Sequence, residues 1–170
     1  MFDKEYNFRG KHAQMVVSLK SAFDKKGNKM FVYSYDIYGL APIIGFLYHR
    51  KALLDKGIES SILPGEIMNH SDDFVFNFKL IMLLDKEYEP NLEKRIEKAF
   101  RGLNNPADEE LYESYVRGGV EVLYEKLIEG VTQPSDYTEK LYDFLEEFDE
   151  RYNQEIDMES VLEMCRKVKS

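Results

Sequence analysis

The sequence predicts an all-α fold, a single domain of about seven helices with one short extended segment near residues 30–35, and three observations predict it. Apolar residues recur at three- and four-residue spacing through most of the chain, the signature of one-faced helices. The breaks between these segments fall on Gly, Pro, Asn, Ser and Asp, where helix stops and starts are expected. Finally, 170 residues with 44% hydrophobic and 32% charged side chains suit one domain with a core, and are too apolar for a disordered chain. The expected domain is therefore residues 1–170.

The first helical signal runs from about Gly10 to Asp24, with Met15, Val16, Leu19, Ala22 and Phe23 on one face, and ends at Lys25-Lys26-Gly27-Asn28. Met30 to Tyr35 then reads equally as a short strand or an extended linker. A second helix is expected after Asp36, through Leu40, Ile43, Ile44, Leu47, Tyr48 and Leu54, stopping at Lys56-Gly57. Ser60 to His70 reads as a loop. Ser71 is placed as an N-cap ahead of Asp72 and Asp73, opening a third helix that is apolar nearly all round from Phe74 to Leu84 and expected at the centre of the core.

A short amphipathic helix follows Pro90-Asn91, carries Leu92, Ile96, Ala99 and Phe100, and stops at Gly102 and Asn104-Asn105. Pro106 opens the next helix, where Gly118-Gly119 marks a kink, a close helix crossing or a break. Ser135 is the expected cap of a helix bearing Tyr137, Leu141, Phe144, Leu145, Phe148 and Tyr152. Asp157 is the expected cap of a last helix with Met158, Val161, Leu162, Cys165 and Val168.

Net charge is −9 but unevenly spread. Residues 1–57 hold ten Lys/Arg and five Asp/Glu, while residues 105–157 hold sixteen acids and four bases, a surface unsuited to nucleic acid. No stretch reaches the ~18–20 apolar residues of a membrane span, and residues 1–11 lack the pattern of a leader, so a cytoplasmic protein is expected. The lone Cys165 cannot form an internal disulfide and sits on an apolar face, which points to packing.

The sequence offers little catalytic chemistry. His12, His49 and His70 are isolated and lack zinc-ligand spacing; the phosphate-loop, dinucleotide-binding and nucleophile-elbow motifs are missing, as is any Glu-x-x-His pair. Neither a cofactor nor a metal is expected. Carboxylate pairs such as Asp72/Asp73, Glu109/Glu110 and Glu146/Glu147 read as solvated faces and helix starts rather than acid–base pairs. An enzyme site near Asp36, His49 and Arg50 is the remaining catalytic alternative.

Two features exceed what packing requires. The first is an aromatic cluster, Phe31, Tyr33, Tyr35 and Tyr38, leading into the basic pair Arg50-Lys51; it suits a docking strip, or stacking with single-stranded nucleic acid. The second is an acidic face bearing Glu139, Asp143, Glu146, Glu147, Asp149 and Glu150, fit to bind a basic partner or the basic third of a second copy. The expected function is thus a non-catalytic interaction subunit that docks on a larger protein or on itself, with Glu146 and Glu147 among its contacts. The alternative is a nucleic-acid contact through Lys11, Lys20, Lys25, Lys26 and Lys29.

The runs Tyr38-Gly39-Leu40-Ala41-Pro42-Ile43-Ile44-Gly45-Phe46-Leu47-Tyr48 and Ser61-Ile62-Leu63-Pro64-Gly65-Glu66 resemble small helical accessory proteins of bacterial anti-phage defence operons. The resemblance covers residues 36–85 and contains no motif with known chemistry. It implies an accessory subunit of a larger nucleic-acid-handling machine.

Overall fold

A computed structural model describes residues 1–103 and 105–152, and these form seven helices and one two-stranded sheet. Strand β1 (Tyr6–Arg9) leads into α1 (Lys11–Leu19) and α2 (Ser34–Leu47). Strand β2 (Glu59–Ile62), α3 (Pro64–Asn69), α4 (Ser71–Leu84), α5 (Leu92–Arg101), α6 (Pro106–Leu127) and α7 (Pro134–Tyr152) follow. The all-α expectation holds, with the strands as a small addition. β1 and β2 pair antiparallel from Tyr6 opposite Ile62 to Arg9 opposite Glu59. Phe8 and Ile62 point from this ribbon into the core, and the Tyr6 ring lies 4.4 Å from that of Tyr38.

The central element is α6, not α4 as the apolar run from Phe74 to Leu84 suggested. Thirteen residues of α6 are buried, from Asp108 to Leu127. Only Phe74, Phe78, Ile81 and Met82 of α4 are, while Phe76 and Leu84 face outward. α6 begins where expected: Asn105 caps it by accepting from the Ala107 and Asp108 N–H groups, with Pro106 in the first turn. The glycine pair leaves its 22 residues unbroken. Of the three readings of Gly118-Gly119, the close crossing is the observed one. A β-carbon on Gly119 would lie 1.8 Å from the Ala41 carbonyl oxygen of α2, and one on Gly45 of α2 would lie 2.2 Å from that of Tyr115.

Other boundaries differ for identifiable reasons. α1 stops at Leu19, and the following turn is tied by Asp24, whose carboxylate accepts from the Lys26 and Asn28 N–H groups. Residues 30–33 form no strand, Tyr33 keeps an extended backbone, and Ser34 and Tyr35 already belong to α2. Tyr33 caps α2, with the Asp36 carboxylate accepting from its N–H at 3.1 Å. α2 ends ten residues before Gly57, because His49 takes a left-handed φ of 51°. That lets the His49 N–H bond Phe46 O and the Arg50 N–H bond Gly45 O, a Schellman termination usually served by glycine. The expected loop over residues 60–70 holds β2 and α3. Ser71 is the first residue of α4 and does not cap it by side chain. Ser135 likewise lies inside α7 rather than ahead of it, and Asp136 in the first turn ties the entering chain by accepting from the backbone N–H groups of Thr132 and Gln133. These donors, with the Thr132 hydroxyl, hold its carboxyl down at about 2.

The predicted last helix from Asp157, including Cys165, lies outside the described residues, as does Asn104 of the expected stop. Among the described residues no helix is long and apolar enough to cross a membrane.

Candidate functional site

The tight α2–α6 crossing places the extended segment after α2 against the middle of α6. There the basic beginning of the chain meets its acidic half. Glu121, buried on α6, accepts from Lys11 Nζ at 2.8 Å and from His12 Nε2 at 3.0 Å, and its other oxygen lies 3.5 Å from Arg50 Nη1. Arg50 also forks onto Glu125 at 3.0 and 3.3 Å. Gly10, at φ 56°, makes the turn that aims Lys11 and His12 at α6; the Asp55 carboxylate fastens it by accepting from the Lys11 N–H at 2.9 Å. An open cavity of about 360 Å³ lies over this cluster, lined by Lys11, Lys51, Ala52, Leu53, Leu54, Asp55 and Glu121.

Burial pushes the His12 imidazole below its ordinary value, against the opposing pull of Glu121. For Glu121, burial pushes the carboxyl up, but the hydrogen bonds from Lys11 and His12 outweigh it and leave it below the ordinary range. A neutral His12 therefore donates Nε2–H to Glu121, and its buried Nδ1 has no partner. Because the folded state resists protonation of His12 more than the unfolded chain does, its contribution is complete above the unfolded value of ~6.5 and is lost as pH falls through the depressed folded one. Urea unfolding is expected to show a lower midpoint near pH 5.5 than near pH 7.5. A His12→Gln variant should lose most of that difference, and an undiminished difference would show that another group titrates.

Further along the same segment, Lys51 Nζ lies 4.8 Å above the Tyr115 ring and 3.7 Å from the Asp85 carboxylate. Asp85, 3% exposed, accepts from the Tyr115 hydroxyl at 2.7 Å and from the N–H groups of Glu87 and Tyr88. Burial and that bond push the Tyr115 phenol up, so it remains a donor. Buried Arg117 donates Nε–H to the Ala52 carbonyl at 2.8 Å and pairs with Glu110. Asp108 takes hydrogen bonds from Tyr88 and Lys98. These polar groups fasten loops to helices.

The sequence-derived candidates are thus dispersed. Arg50 and Lys51 are neighbours; Arg50 is held by Glu121 and Glu125 of α6 and Lys51 lies 3.7 Å from Asp85, yet their side chains remain 43% and 39% exposed. Tyr38 is 2% exposed and part of the core; its place in a surface strip is corrected. Phe31 is half-buried, whereas Tyr33 and Tyr35 stack at 4.9 Å, with His70 stacked on Tyr35 at 4.3 Å. Of the lysines proposed for nucleic acid, Lys11 is paired with Glu121 and Lys20 donates to the Ser34 hydroxyl at 2.6 Å, which leaves Lys25, Lys26 and Lys29 exposed around one turn. Glu146 is exposed, but Glu147 ties α7 down by accepting from Lys126 and the Tyr48 hydroxyl. Asp36 and His49 lie at opposite ends of α2, about 20 Å apart at about 1.5 Å per residue, so they share no pocket.

What sequence reasoning missed is apolar surface. Phe76 and Leu84 on α4, with Leu92, Ile96 and Phe100 on α5, are 45–64% exposed on the two helices that meet at the α4–α5 seam. Lys79 sits 5.4 Å over the Phe100 ring within it. The 92/96/100 spacing was visible, but nothing local told an outward apolar stripe from a buried one. A second apolar area lies on α7, where Tyr142 and Leu145 are 65% and 58% exposed.

A larger cavity of about 450 Å³ between α5 and the start of α6 has Lys94, Lys98 and Arg101 facing Glu89, Glu97 and Asp108, a balance that selects neither charge. Among the described residues no group of three or more His, Cys, Asp or Glu side chains is placed to hold a metal ion. No protein-family model, curated protein or solved structure matches the chain.

Proposed function

We propose that this chain is a non-catalytic interaction subunit that docks on a larger protein assembly. The observation that carries this reading is the α4–α5 seam: five large apolar side chains stay in solvent along one helix pair, where scattered single exposures are the ordinary case. Two of them are phenylalanines, and aromatic anchors dominate the energetics of protein contacts. The buried ionic groups, in contrast, are engaged with one another and with backbone. The resemblance carried by residues 36–85 supports an anti-phage defence assembly in the cytoplasm as the setting.

Tagged chain recovered from its native cell is expected to bring down a stoichiometric protein partner, and a Phe76→Glu/Phe100→Glu double variant to lose it at least tenfold. Both side chains are exposed, so helix content by circular dichroism should not change. Equal recovery by the variant, or a wild-type chain that is monomeric and recovers nothing, would refute the reading.

A further inference from the structure

The outer face of α7 carries two stripes side by side. Leu141, Tyr142 and Leu145 follow one i, i+1, i+4 line, and Glu139, Asp143, Glu146 and Glu150 follow an i, i+4, i+7, i+11 line beside it. Tyr142 borders Glu139 and Glu146 at one helical turn on either side. Beneath Leu141 the surface opens into a cavity of about 260 Å³ between α7, the end of α6 and the turn after α1, walled by Phe23, Met30, Leu127 and Tyr137, with Lys29 also lining it. Phe23 and Tyr137 stack at 5.3 Å to form one side of it. Here an apolar shelf, a socket large enough for one aromatic side chain and an acidic ridge share one surface.

We infer that this surface binds a basic amphipathic helix of the partner protein, with one large apolar side chain seated in the socket and its lysines or arginines along the α7 ridge. The inference rests on the interaction reading above and names the chemistry of a second contact. Complementary charge along α7 favours this occupant: four carboxylates line the ridge against one lysine, Lys29, at the socket, and a helix whose apolar stripe carries positive charge on its ridge side meets shelf and ridge together. The most apt helix of a second copy is α5, with exposed Leu92, Ile96 and Phe100. It fits less well because Glu93 and Glu97, both exposed on it, would be carried toward the ridge.

The test uses the full chain and a labelled 18-residue helical peptide of lysine and leucine with one phenylalanine anchor, read by fluorescence anisotropy. Micromolar binding is expected. It should weaken at least tenfold for Tyr142→Ser/Leu145→Ser, and at least tenfold for Glu146→Lys/Glu150→Lys. Replacing the peptide's phenylalanine by alanine should weaken it similarly, and the glutamate–leucine counterpart should not bind. Retained affinity in the double-serine variant, or indifference to the anchor, would mean unspecific attraction to acid and would overturn the inference.

Two further outcomes reassign the surface. If wild type self-associates in sedimentation and Tyr142→Ser/Leu145→Ser disperses it, a second copy is the occupant. If wild type binds no peptide while Leu162→Asp does, residues 153–170 of the chain itself hold it. The seam lies on other helices, so loss of this contact leaves seam-dependent partner recovery standing, and the two readings fail separately.

Discussion

Replacing Gly119 by alanine is expected to destabilise the fold by about 3 kcal/mol, the reverse of what helix propensity alone would give. In a helix interior alanine is favoured over glycine by about 1 kcal/mol. Here the added β-carbon would sit 1.8 Å from the oxygen, 2.5 Å from the carbonyl carbon and 2.9 Å from the Cα of Ala41. All three are backbone atoms of α2, so no rotamer change relieves the overlap. α2 and α6 must move apart, and a close-packed core loses contact along the whole crossing. Gly118 stands in the same position against the Arg50 carbonyl oxygen, at 1.9 Å. Gly65 in α3 is the control: nothing lies within 4 Å of its added β-carbon, so Gly65→Ala should leave stability unchanged or raise it by about 0.5 kcal/mol. Urea unfolding of the two variants decides the matter, and a Gly119→Ala protein as stable as wild type would mean the crossing is loose.

Asp85→Ala should cost a comparable amount, about 3 kcal/mol. Its carboxylate is the shared acceptor for the Tyr115 hydroxyl and two backbone N–H groups, with Lys51 beside it. Removing it strands buried donors, each worth about 1–3 kcal/mol when left unpaired. Tyr115→Phe removes one donor and should cost only about 1 kcal/mol. The double variant should cost less than the two singles together, because the hydroxyl that Asp85→Ala strands is then gone. Additivity in denaturant unfolding would show that the two groups do not act as a unit.

Much of the helix plan was legible because it depends on neighbours in sequence. Asn105-Pro106 opens α6 and Asn91 caps α5, each by bonds within four residues. The ends that were misplaced depend on distant groups or unusual residues: α2 stops on a histidine in the left-handed region, and β1 exists only because residues 59–62 pair with it. The candidate sites were less legible still. Tyr38 and Tyr33 belong to one aromatic run, yet one is a core ring and the other is exposed. The basic third read as an open surface, while Lys11 and Arg50 are paired with the acidic α6.

What the sequence determined by itself is the all-α class and the starts of α5 and α6 at Asn91 and Asn105-Pro106, since periodicity and capping are local physics. Only the tertiary structure decided that α6 is central, that the glycine pair is a crossing rather than a break, and that the apolar stripes of α5 and α7 face solvent. Those outcomes depend on which faces meet, and a stripe of leucine, isoleucine and phenylalanine looks the same in sequence whether it is covered by the chain or left open.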